Sequence, residues 1–181
     1  MIRLFTGISL PVLLRQRLAL LQGGLDGAKW TERDNLHLTL NFIGDVSEQL
    51  AEDVDEALSG IRMESFPLEL KGTGSFSSGR DIKVLWVGVA PSEPLHRLKE
   101  KIDRALEKYA IPFEKRKYHP HVTLARFRFG AEEAKVAQFM AEHNLFSGDA
   151  FEVDHFILFR THQTKHGSQY EAVAEYPLGY G

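Results

Sequence analysis

The chain contains no cysteine, which excludes a disulfide framework, thiolate metal sites and cysteine nucleophiles together. No apolar run approaches membrane-spanning length. The opening Met1-Ile2-Arg3-Leu4-Phe5 lacks a charged leader followed by an apolar core and cleavage site. A cytoplasmic location without a membrane partner is the expectation. A strong positive excess is missing too: the formal net charge is −3, which argues against broad, charge-driven coating of nucleic acid. A local basic pocket for one phosphate is still allowed. What is present is 181 residues, 43% hydrophobic and 26% charged. That is ordinary for a globular protein with one substantial core or two small lobes, and nothing demands more than a monomer.

Along the chain, strand-like and helical patterns alternate. Arg3 to Leu10 reads as a strand stopped by Pro11, and Val12 to Leu21 as a helix with Leu14, Leu18 and Leu21 at helical spacing. Ser47 is placed to cap a helix carrying Leu50, Ala51, Val54 and Leu58 and closed by Gly60. Phe66 to Leu70 and Val84 to Val89 read as strands, with a Gly/Ser-rich loop from Gly72 to Gly79 between them. Helices are expected over about Glu93 to Tyr109 and Glu132 to His143, and strands over Phe151 to Arg160 and Tyr170 to Pro177, around a polar turn from His162 to Ser168. The short strand-to-strand links forbid an all-parallel sheet. The fold class is therefore α+β, one domain over residues 1–181 with two interleaved, βαβ-rich lobes and a groove between them.

One short pattern occurs twice: His37-Leu38-Thr39-Leu40 and His121-Val122-Thr123-Leu124. Chance would place two copies in roughly one such chain in a thousand. Each copy reads as a strand, where residues i and i+2 share a face, so His37 and Thr39 point one way, as do His121 and Thr123. Side by side in one sheet, the strands would converge two imidazoles and two hydroxyls on one spot. One imidazole takes a proton while the other gives one, and the hydroxyls hold an anion between them. That set suits attack of water on a phosphodiester. Histidine is the fitting residue because its unperturbed pKa lies near ~6.5.

The surrounding residues resemble a family. Asn35-Leu36-His37-Leu38-Thr39-Leu40-Asn41-Phe42-Ile43-Gly44 is similar to the first motif of the two-histidine phosphoesterases, and His119-Pro120-His121-Val122-Thr123-Leu124-Ala125-Arg126 to the second. The likeness is greatest to the bacterial RNA 2',3'-cyclic phosphodiesterases, also called 2'-5' RNA ligases. Arg3-Leu4-Phe5, Val84-Leu85-Trp86-Val87-Gly88 and Gly167-Ser168-Gln169-Tyr170 extend it over nearly the whole chain. Ile43, where leucine is usual, and Thr161, where serine is frequent, depart from the pattern.

The resemblance implies a bilobal fold related by a pseudo-twofold, with a central cleft. It implies hydrolysis of a terminal 2',3'-cyclic phosphate on RNA to a 2'-phosphate, with no metal and no other cofactor. By motif position His37 is the general acid and His121 the general base, protonated and neutral respectively in the active form. Thr39 and Thr123 would bond the non-bridging oxygens, and Arg126 would grip the phosphate. Arg116 and Tyr118, in the basic-aromatic run Lys115 to His119, are candidates to meet RNA. Phe42 and Trp30 are assigned to the core. The expected partners are RNA 3' ends bearing a cyclic phosphate, or small cyclic nucleotides. Making or breaking a 2'-5' linkage, non-catalytic binding of RNA ends, and a metal hydrolase remain the alternatives, the last disfavoured because no carboxylate lies at ligand spacing in either motif.

Overall fold

The computed structural model describes residues 1–179. Its strands are β1 (Ile2–Ser9), β2 (Ala28–Trp30), β3 (His37–Val46), β4 (Phe66–Leu68), β5 (Leu70–Ser78), β6 (Asp81–Val89), β7 (His121–Ala131), β8 (Phe151–Val153), β9 (His155–Thr164) and β10 (Gly167–Pro177). The helices are α1 (Val12–Leu21), α2 (Glu48–Ser59), α3 (Glu93–Lys108) and α4 (Glu133–His143). Ser47 Oγ accepts the Leu50 N–H at 3.1 Å and Ser92 Oγ the Leu95 N–H at 3.2 Å, so α2 and α3 start where their capping residues stand.

One sheet runs in the order β10-β9-β1-β3-β7-β6-β5, with β2 also paired to β7. Every pairing among the described strands is antiparallel, so alternation of strand and helix along the chain builds no parallel unit. The sheet has two halves. One takes β1 and β3 from the start of the chain and β9 and β10 from its end, while the other takes β2, β5, β6 and β7 from between. The halves meet at a single pair, Leu38 opposite Val122. That pair lies in the middle of the two motifs.

Both motif strands carry the same irregularity. In β3, Asn41 faces Thr6 and Thr39 faces Gly7, leaving Leu40 as an extra residue. In β7, Ala125 faces Leu85 and Thr123 faces Trp86, leaving Leu124 as the extra. Each bulge sits three residues past its histidine. A bulge reverses the facing of all that follows. Leu40 and Asn41 are both buried, as are Leu124 and Ala125. Phe42 and Arg126 thereby return to the face that carries the histidines.

Two expected elements differ from the sequence reading. The stretch Gly72 to Gly79 is most of β5 rather than a loop. Its glycines have a packing reason, because a Cβ on Gly74 would fall inside the Trp86 indole. Gly74→Ala is expected to displace that ring and cost about 1–3 kcal/mol, measurable by chemical denaturation; an unchanged midpoint would refute the packing account. The polar turn expected from His162 to Ser168 is also mostly strand, since β9 runs to Thr164 and β10 begins at Gly167.

Candidate active site

The antiparallel register at Leu38 and Val122 sets His37 beside Thr123 and Thr39 beside His121 on the face opposite those two buried residues. The pair acts as a pseudo-twofold point, and the imidazoles lie diagonally across it. All four expected side chains and Arg126 line one cleft of about 340 Å³. The structure therefore brings together the five residues expected to serve the phosphate.

The two rings are held alike. His37 Nδ1 lies 2.7 Å from the Asn35 carbonyl, and His121 Nδ1 lies 2.7 Å from the His119 carbonyl. A carbonyl only accepts, so each Nδ1 carries the proton and each Nε2 is left as the working nitrogen. His37 Nε2 sits 2.8 Å from Thr39 Oγ1; with Nδ1 protonated, the neutral ring accepts the threonine proton there. Aromatic rings meet both imidazoles edge-on. Tyr170 stands 5.0 Å from His37 at 81°, and Phe76 stands 4.9 Å from His121 at 87°. Phe5 adds a second ring against His37 at 5.0 Å. β10 lies three strands from β3, about 14 Å away in a flat sheet, so the approach of Tyr170 shows that the outer hairpin curls over the cleft.

Electrostatics treat the pair unequally. Burial pushes the His37 pKa down to about 4, opposed by the Asn35 carbonyl and reinforced by the positive fields of His121 and Arg126. His121 is also lowered, first by burial, opposed by its bond to the His119 carbonyl and reinforced by the fields of the His119 ring and Arg126. The cleft by itself thus favours two neutral imidazoles. Among the described residues that line it, none is a carboxylate.

Polar groups hold both bulges. Thr31 N–H donates to the Leu124 carbonyl at 2.8 Å and Gln22 Nε2 at 3.2 Å. On the other strand, Asn41 N–H donates to Thr6 Oγ1 at 3.0 Å, while Asn41 Nδ2 donates to Asp103 on α3. Asp103 also accepts from the buried Lys99 ammonium at 2.6 Å. A charged network under β3 is therefore satisfied, as a buried ion must be.

Other sequence expectations fare differently. Tyr118 does not face the cleft: its O–H donates to the Thr39 carbonyl at 2.9 Å, its ring covers Lys99 at 5.5 Å, and burial pushes its phenol well up. It braces the motif strand and does not present a stacking face. Arg116 is exposed, paired with Glu114 and outside the cleft lining. Phe42, expected in the core, is instead 49% exposed and lines the cleft, because the bulge turns it. Trp30 does pack on the core, against Phe139. Sequence reasoning passes over Asn35 as the residue that fixes His37, and Arg3, Ser168 and Tyr170 as lining residues. Phe42 has one available signal: it follows His37 by the interval at which Arg126 follows His121.

Comparison with known proteins agrees with this fold. The sequence model of the 2'-5' RNA ligase superfamily matches residues 13–165. A protein of Aeropyrum pernix named RNA 2',3'-cyclic phosphodiesterase is 34% identical over 148 residues, covering 81% of this chain and 84% of its own. A protein of the same name from Methanocaldococcus jannaschii is 28% identical over 176 residues, covering 96% and 99%. Among solved structures, E. coli LigT in apo form superposes with a TM-score of 0.80 at 25% identity, over 99% of this chain and 98% of that one. TT0787 of Thermus thermophilus gives 0.78 at 26% identity, over 97% of each.

Proposed function

Because this chain belongs to the 2'-5' RNA ligase superfamily, we propose that it hydrolyses a terminal 2',3'-cyclic phosphate on RNA to a 2'-phosphate, without a metal. The observation that carries the reading is the pair of Nε2 atoms held across a pseudo-twofold point by matching carbonyl bonds from Nδ1. In-line displacement at phosphorus needs that layout, with a base on one flank and an acid on the other.

His121 Nε2 takes a proton from water as the oxygen attacks phosphorus. The P–O3' bond breaks, and His37 Nε2–H delivers its proton to O3'. The net change is addition of one water, giving a 3'-hydroxyl and a 2'-phosphate. Thr39 changes partner during this cycle. Once Nε2 of His37 is protonated it no longer accepts, so the Thr39 hydroxyl is released to donate to a non-bridging oxygen, opposite the matching hydroxyl of Thr123. Arg126 adds a charge-assisted bond to the same phosphate. The relatives' printed names support the substrate.

The test is turnover of a short RNA ending in a 2',3'-cyclic phosphate, in EDTA, with the position of the product phosphate identified. A 2'-phosphate product is expected. Tight binding without turnover would make the protein a reader of RNA ends, and activity lost to the chelator would make it a metal hydrolase.

A further inference from the structure

The two motif strands pair only at Leu38 and Val122 and then part. Each freed edge is covered by a short segment. On β7 the cover is β2, with Lys29 opposite Arg126 and Thr31 N–H on the Leu124 carbonyl. On β3 the cover is the irregular stretch 114–118, whose Glu114 N–H donates to the Phe42 carbonyl at 2.8 Å and whose Tyr118 O–H donates to the Thr39 carbonyl. The pseudo-twofold therefore sets β2 at one end of the cleft and 114–118 at the other.

The two ends are not alike. At the β2 end the β9–β10 hairpin closes down. Asn35 Nδ2 donates to the Ser168 carbonyl at 2.9 Å, and a Cβ on Gly167 would lie 2.9 Å from Lys29 Nζ. At the other end the corresponding β5–β6 hairpin meets the motif through Phe76, edge-on to His119 at 5.2 Å and to His121 at 4.9 Å, but its turn stays free, since a Cβ on Gly79 would meet nothing within 4 Å. This end carries the exposed Phe42 ring, which lines the cleft, with the exposed Arg116 and Lys117 on the stretch bonded to the Phe42 and Thr39 carbonyls; Lys115 turns instead toward α3, 3.6 Å from Glu107 and over the Phe113 ring at 5.2 Å. Arg116 already has a carboxylate neighbour in Glu114. Such exposed pairs are weak and exchange readily for a phosphate.

We propose that RNA enters from this end, with the strand upstream of the terminal nucleotide lying over Phe42 and along Arg116 and Lys117. The partner chemistry is that of a flexible single strand: regularly spaced phosphates for the cations and a base face for the aromatic ring. The β9–β10 hairpin, bonded to Asn35 and close to Lys29, is the stop beyond the histidines. This assignment rests on the hydrolase reading above, and it separates oligonucleotides from mononucleotides as substrates.

The experiment compares the unchanged protein with Arg116→Gln/Lys117→Gln on two substrates, a single-stranded RNA of about ten nucleotides with a 2',3'-cyclic end and a mononucleoside 2',3'-cyclic phosphate. The double variant is expected to raise KM for the RNA about tenfold at low salt and to flatten its log KM against log salt slope by about 1.4, as two cations no longer meet phosphates. KM for the mononucleotide should not move. An equal effect on both substrates, or none on the RNA, overturns the track. Should the unchanged protein turn over neither substrate, the hydrolase reading falls instead. RNA binding by fluorescence anisotropy then decides the track, and a salt slope identical in protein and variant overturns it.

Discussion

Replacing His121 with Ala is expected to lower kcat for a terminal 2',3'-cyclic phosphate by about 10²–10⁴-fold, and His37→Ala by a similar factor. Each substitution deletes one positioned proton transfer and leaves the rest of the cleft in place. Neither should unfold the protein. Both rings are half-buried at the cleft surface, outside the buried cluster formed by Leu38, Leu40, Val122 and Leu124 on the opposite face. Alanine gives up the ring packing against Tyr170 and Phe5 and the bonds to Asn35 and Thr39 at position 37, and the packing against Phe76 and the bond to the His119 carbonyl at position 121. The double variant should fall little below either single one, because one displacement requires both transfers and residues acting as a unit are not additive. Circular dichroism checks the fold and single-turnover kinetics the rate. Substantial turnover in a folded single variant removes that histidine from the chemistry.

The motif strands were legible because their period of two is strict where it matters most, from His37 to Thr39 and from His121 to Thr123. It fails one residue later. Continuing the alternation past Leu40 sends Phe42 into the core, and the same step past Leu124 sends Arg126 there. Motif context places Arg126 correctly, whereas Phe42 has no such support. The bulges depend on strands far off in sequence: Thr6 accepting from Asn41, and Gln22 and Thr31 donating to Leu124. No local pattern announces such partners.

The same cause hid β5. Glycines at 72, 74 and 79 and serines at 75, 77 and 78 carry every local mark of a loop. What makes the stretch a strand is Trp86 on the neighbouring β6, whose ring occupies the space a side chain at Gly74 would need. Tyr118 misled in the opposite direction. A tyrosine in a basic run reads as a nucleic-acid contact, but α3 brings Lys99 beneath its ring, and the free edge of β3 supplies a carbonyl for its hydroxyl. The helices needed no such help, because α1, α2 and α3 carry their apolar spacing and their boundary residues within their own sequences.

The pH dependence should separate the free protein from its complex with substrate. From sequence, His37 is expected to be protonated in the active form, yet in the free protein burial and the fields of His121 and Arg126 hold its pKa to about 4. A phosphodiester carries one negative charge into that cleft, and a nearby anion favours the imidazolium. Binding must then raise both histidines, and His37 gains its proton from the encounter. The profile of kcat/KM reports the free protein, and that of kcat the complex. The alkaline limb of kcat/KM is expected below the ordinary histidine value of ~6.5, because both pKa values are lowered. The limb of kcat should lie about 1–2 units higher, reflecting the anion beside the pair. Arg126→Gln removes a positive field that lowers both groups, so it should move the kcat/KM limb toward higher pH even as it weakens binding. If the two limbs coincide, substrate does not set the proton on His37, and another donor must protonate O3'.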